Sequence, residues 1–90
     1  MTKRNAWSIY LFARNGCNFS NSQGGYSAFG SFGCTTIFSD SIDFDPQGCT
    51  AWIYSDPSCG QLVNIMSGSE QCFGVEAPVG GALQSFKVQC

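Results

Sequence analysis

Histidine is absent from this chain, and basic side chains are few: Lys3, Arg4, Arg14 and Lys87 stand against six carboxylates, for a net charge of −2. Each scarcity removes a class of function. Without histidine the commonest general base is missing, and neither a Ser–His nor a Cys–His nucleophile can be assembled. Scattered cations cannot build the concentrated basic face that nucleic acid or an anionic bilayer requires, so neither is an expected partner. No apolar run approaches the roughly 20 residues of a membrane span. Runs of Ala, Leu, Glu and Lys that would nucleate helices are also missing. Eight Phe, three Tyr and two Trp accompany eleven Gly instead, a composition that favours strands and turns.

What the chain does have is cysteine, at Cys17, Cys34, Cys49, Cys59, Cys72 and Cys90. With 90 residues there is room for one compact domain, residues 1–90, and burial alone stabilises such a domain poorly because ordering each residue costs roughly 1.5 kcal/mol. An even cysteine count in a short chain points to disulfides. Zinc is disfavoured, since there is no CxxC pair and no histidine, whereas zinc sites usually bring two ligands within a few positions. The sequence leaves the pairing of the six open. Disulfides imply an oxidising compartment, so a secreted, extracellular protein is expected. Met1 is followed directly by Thr2, Lys3 and Arg4 rather than by an apolar signal segment, so the chain is expected to be a mature form carrying an added initiator Met. Asn18, Phe19 and Ser20 form an N-glycosylation sequon, which fits a eukaryotic secretory route.

Strand signals recur along the chain. Ser85 to Cys90 alternates strictly, with Phe86, Val88 and Cys90 on the core side, and Ile42 to Asp45 repeats the pattern. Trp7 to Ala13 and Thr50 to Tyr54 are denser apolar runs, expected as central strands covered on both faces. Turns are expected at Arg14–Gly16, Gln23–Gly25, Asp45–Gly48, Ser55–Ser58 and Ala77–Gly81. Asn21 to Gly33 reads as a loop or loosely held hairpin, though Tyr26, Phe29 and Phe32 recur in it and need burial or a partner. An offset of 42 residues carries Tyr10 onto Trp52, Leu11 onto Ile53, Phe12 onto Tyr54, Cys17 onto Cys59 and Phe44 onto Phe86. One residue of adjustment carries Cys49 onto Cys90, and about four extra residues in the first half bring Cys34 onto Cys72. Two pseudo-repeats, about 5–48 and 49–90, are expected.

These residues carry a resemblance. Two repeats that open on an aromatic strand running into a turn, and close on a Ser-Phe-x-Val-type strand, resemble the paired Greek keys of βγ-crystallin-like domains. Ala51 to Gly60 is similar to the family's folded hairpin, and Gly80 to Val88 to the strand with its motif-closing Ser. The first half departs, with Phe44 where that Ser would fall, aligned with neither Ser39 nor Ser41. The resemblance implies an all-β, disulfide-stapled β-sandwich of two Greek keys. It also extends to cysteine-rich secreted fungal proteins, among them apoplastic effectors, killer-toxin-like antifungal proteins and proteinase inhibitors.

Candidate sites follow. Many crystallin-like domains bind calcium, and the matching segments are Ser39 to Phe44 and Gly80 to Ser85. Too few oxygens remain in the second for an ion that takes six to eight. Asp40 and Asp43 in the first could at best bind weakly, and the favoured reading makes them solvent-facing strand positions; no cofactor is expected. A recognition surface is expected from Arg14, Asn15, Tyr26, Phe29, Phe32, Asp56 and Glu70. The functional expectation is a non-enzymatic, monomeric secreted recognition protein, a fungal effector or elicitor and virulence factor acting in the apoplast on a host protein or glycan. A killer-toxin-like antifungal protein is the alternative, opposed by the low positive charge, and a proteinase inhibitor with Ser55–Gly60 as its reactive segment is the second.

Overall fold

The computed structural model describes residues 6–14, 16–74 and 83–90. Within them the aromatic-rich runs form β1 (Trp7–Phe12), β2 (Ser22–Ala28), β3 (Phe32–Ser39), β4 (Ser41–Asp45), β5 (Thr50–Tyr54), β6 (Leu62–Met66), β7 (Gln71–Gly74) and β8 (Leu83–Gln89). A 3-10 turn at Phe19–Asn21 interrupts the connection from β1 to β2, and no α-helix occurs among the described residues. The fold is all-β, as the lack of helix-forming runs implies. The expected turn at Ala77–Gly81 and the segment Gly80–Ala82 lie outside the described residues.

Two antiparallel four-stranded sheets form, in the orders β2-β1-β4-β7 and β3-β8-β5-β6. β1 and β5 are central, as their dense apolar runs imply, but they are not covered on both faces: Tyr10 of β1 is exposed, because each sheet packs on the other by one face alone. β3 leaves its neighbours in sequence to pair with β8, and β7 crosses the other way to pair with β4. Each sheet therefore contains a strand from the opposite half of the chain. Asn21 to Gly33 is not a loose loop: β2 occupies most of it and pairs along the whole of β1. Gln23–Gly25 is likewise not a turn. Gly24, at φ 101°, accompanies the register shift between Leu11 and Phe12, where a bulge needs a left-handed residue.

Strand register relates the two halves and corrects one expected alignment. Leu11 faces Ile42 as Ile53 faces Phe86, and Phe12 faces Ser41 as Tyr54 faces Ser85. Ile42, not Phe44, thus stands at the station of Phe86, and Ser41 at that of Ser85. The offset of 42 fails there because the chain from Cys72 to Ser85 is longer than that from Cys34 to Ser41.

The two serines do the same work. Ser41 Oγ donates to Arg14 O at 2.6 Å and accepts from Cys17 N at 3.0 Å. Ser85 Oγ donates to Asp56 O and accepts from Cys59 N at 3.1 Å. Both loops after the central strands are thereby folded flat onto their sheets, and each places a cysteine in the left-handed region, Cys17 at φ 54° and Cys59 at φ 56°. Such a conformation is costly for a residue with a side chain and persists only when its surroundings hold it. Here a serine hydroxyl and a disulfide do so.

The bridges are Cys17–Cys72, Cys34–Cys59 and Cys49–Cys90, and no cysteine is free. The first two are counterparts: each ties an exchanged strand, β7 or β3, to the folded loop of the sheet it joins. The third closes the start of β5 onto the end of β8. Spanning 55, 25 and 41 residues, each would contribute about 3.5 to 4 kcal/mol singly if chain entropy alone acted. Three disulfides indicate an oxidising, extracellular type of environment. Between the sheets Trp7 meets Phe32 edge-on at 5.1 Å and lies 6.3 Å from Phe86. Ile9, Ile42, Phe44, Ile53, Met66 and Leu83 are among the other buried residues of the core. Trp7 Nε1 donates to Gly30 O at 2.8 Å, and among the described residues every buried side-chain polar atom is partnered, as buried polar groups must be.

Candidate recognition site

Alternation along β1 decides what the first sheet presents to solvent. Trp7, Ile9 and Leu11 turn inward, while Ser8 and Tyr10 turn outward, Tyr10 with 40% of its surface exposed. Tyr10 pairs with Gly25 on β2 and with Asp43 on β4, and Ser8 pairs with Ser27 and Asp45. Two rows cross the outer face side by side: Gly25–Tyr10–Asp43 and Ser27–Ser8–Asp45.

Since Gly25 has no side chain, one flank of the Tyr10 ring is open. An accessible groove of about 320 Å³ lies there, lined by Ser8, Tyr10, Ser22, Gly24, Gly25, Tyr26 and Ser27. Gly25 has to be glycine, because a Cβ at that position would run into the Ile9 carbonyl oxygen. The close approach of β2 to β1 and the open groove are therefore one feature. Phe19 stands at the far end, edge-on to Phe12 at 5.2 Å and to Tyr10 at 5.9 Å.

Carboxylates flank the other side. Asp43 and Asp45 project from β4, and Glu70, just ahead of β7, reaches Asp43. A side-chain hydrogen bond to Asp43 raises the Glu70 pKa above its ordinary value, and the charges of Asp43 and then Asp45 add to the rise. Gln47 Nε2 donates to both Asp45 oxygens at 3.2 Å. An aromatic ring between hydroxyls and carboxylates suits a pyranose: the ring takes the apolar face of the sugar, and oxygen acceptors take its hydroxyls. Among the described residues no three His, Cys, Asp or Glu side chains come together to hold a metal ion.

The same station of the second sheet is built differently. Trp52 pairs with Ile65 on β6 and with Lys87 on β8, whose Nζ lies 5.9 Å from the indole centroid. Side chains occupy both flanks of that ring. Ile65 is 49% exposed, and it joins Val63 in an apolar strip along the β6 edge.

The residues expected to form a surface do not converge. Arg14 is exposed in the folded loop after β1, with its carbonyl held by Ser41, and Asn15 lies outside the described residues. Phe29 is exposed in the turn after β2, at the opposite end of β1. Tyr26 is one expected residue that does reach the groove, which it helps to line while its ring lies 5.4 Å from Phe86; Phe32 serves as packing, stacked on Phe86 at 6.4 Å. Asp56 organises its own loop, accepting from Gln61 N at 2.7 Å, Gly60 N at 2.8 Å and Ser58 N at 3.2 Å. The Gln61 amide first, then those of Gly60 and Ser58, lower its pKa. Asp40 is in the turn between β3 and β4, with its N–H donating to Phe12 O.

Ser8, Tyr10, Gly25 and Ser27 were not singled out in the sequence. Ser8, the one polar residue in the otherwise apolar run Trp7–Phe12, was the signal that β1 has an outward face, and nothing in the sequence pointed to Gly25 and Ser27 beside it. Compared with protein-family models, with curated proteins and with solved structures, the chain matches none.

Proposed function

We propose that this protein is an extracellular, non-enzymatic recognition protein that binds a glycan on the outer face of its first sheet. The observation that carries the reading is the Tyr10 ring, exposed between a mainly apolar groove edged by Ser8, Ser22 and Ser27 and the carboxylates of Asp43 and Asp45. We read the architecture as a duplicated pair of Greek keys of the βγ-crystallin type. In support, each half lends its third strand to the other sheet, and Ser41 and Ser85 lock equivalent folded loops. The resemblance to secreted fungal proteins extends the reading to an effector acting outside cells on a wall glycan.

Recognition is preferred to proteinase inhibition because Ser55–Gly60 does not project as an inhibitory loop would. Its Asp56 carbonyl is taken by Ser85, its Pro57 carbonyl by Thr36 Oγ1 at 3.3 Å, and Cys59 is bridged to Cys34. A glycan array probed with wild type, Tyr10→Ala and Trp52→Ala tests the proposal. Binding that survives Trp52→Ala and disappears in Tyr10→Ala supports it; an array with no bound sugar refutes it.

A further inference from the structure

The aromatic sequon at the tip of the first sheet has its own geometry. Asn18 precedes the 3-10 turn Phe19–Asn21 and caps it, with Oδ1 accepting from Ser20 N at 3.0 Å and from Ser20 Oγ at 2.9 Å. Both bonds span only two residues, so this Asx turn is available to the chain before its tertiary contacts form. Asn18, Phe19 and Ser20 are all exposed in the finished fold, and the Asn18 amide nitrogen has no acceptor among the described residues. Phe19 is 63% exposed although one side of its ring is spent on Phe12 and Tyr10. A large ring left open beside an exposed carboxamide nitrogen is a surface that a sugar attached next to it would cover.

We infer that Asn18 is an acceptor for N-linked glycosylation, and that the first sugar of the attached glycan packs on the open face of Phe19. The inference rests on the extracellular reading, since the modification requires the secretory route. In the transfer, Asn18 Nδ2 bonds to the anomeric carbon of a polyprenyl-diphosphate-linked oligosaccharide. The bond from that carbon to the diphosphate oxygen breaks, the diphosphate leaves with the electron pair, and Nδ2 gives up one proton. Ser20 Oγ–H, donating to Oδ1, fixes the carboxamide by its oxygen and leaves Nδ2 as the end that reacts.

The test is expression of the full chain behind an added signal peptide in a eukaryotic cell line, with intact-mass analysis of the secreted protein before and after peptide N-glycosidase. Wild type is expected to carry a glycan that the glycosidase removes, leaving Asp at position 18. Asn18→Gln and Ser20→Ala are expected to lack it, and Ser20→Thr to raise occupancy. Secreted protein with all three bridges formed and Asn18 unmodified overturns the acceptor assignment while leaving the extracellular reading intact. Wild-type chain retained inside the cell counts against the extracellular reading, and with it the inference. The contact is read separately: glycosylation is expected to raise the thermal midpoint more in wild type than in Phe19→Ala, and equal gains in both overturn it.

Discussion

Gly25, Tyr10 and Asp43 cross the first sheet at the station where Ile65, Trp52 and Lys87 cross the second. Both rows centre on an aromatic ring that projects from the middle strand of its sheet. In the second row a β-branched residue and a lysine lean on the ring, which gives a covered, stabilising surface. In the first row glycine withdraws from one flank and a carboxylate stands at the other, which gives an open ring edged by acceptors. The framework is shared to the level of serine locks and bridged left-handed cysteines, so the groove comes from three side-chain identities on a common scaffold.

The largest effects are expected where the scaffold is common. Replacing Cys17 and Cys72 by Ser is expected to cost about 4 kcal/mol, and replacing Cys34 and Cys59 about 3.5 kcal/mol, because the first pair closes the longer loop. Urea unfolding of the two double variants measures this, and a larger loss from the shorter loop would show that loop length is not what separates these counterparts. Next is the exchange of row identities. Gly25→Ile forces a side chain into the Ile9 carbonyl and is expected to cost about 2 to 3 kcal/mol. The converse Ile65→Gly is expected to cost only about 1 kcal/mol from an exposed edge strand. Equal costs would mean that β2 is free to move away from β1.

The serine locks sharpen the comparison from the other side, because here the halves should agree. Ser41→Ala and Ser85→Ala each strand a loop N–H and a loop carbonyl, and each is expected to lose about 1 to 3 kcal/mol. A loss at one site alone would break the equivalence.

Sequence patterning made the all-β class, the central strands and the three bridges legible, because apolar density and cysteine number act locally or by composition. The pairing of cysteines was not legible, since it depends on β3 and β7 changing sheets. Ser41 was missed for a related reason: the longer connection from Cys72 to Ser85 shifts the offset, and only hydrogen-bonded register restores it. The groove was hidden because Trp7–Phe12 reads as an apolar run broken only by Ser8, and because Gly24 and Gly25 read as a turn when they are a bulge and a close approach. Arg14, Phe32 and Asp56 look like surface chemistry in a string of letters. Their carbonyl, ring and carboxylate are in fact engaged in holding the fold.

The smallest expected effect concerns pH, and it has opposite signs in the two sheets. Glu70 has a raised pKa, so the folded state holds its proton more tightly than the unfolded state does. Stability from this group therefore falls as pH rises from the ordinary glutamate range through the raised value. Asp56 has a lowered pKa, so its contribution is present above the ordinary aspartate range and is lost as pH falls through the lowered value. Thermal midpoints across the acidic range should lose the first slope in Glu70→Gln and the second in Asp56→Asn.

Amide chemical-shift mapping of the isotope-labelled protein, titrated with an oligosaccharide selected on the array, addresses the difference between the two rows most directly. Shifts gathered at Ser8, Tyr10, Gly25, Ser27 and Asp43, with Trp52, Ile65 and Lys87 unmoved, are the expected result. Shifts centred on the Trp52 row, with the Tyr10 row unmoved, would contradict it.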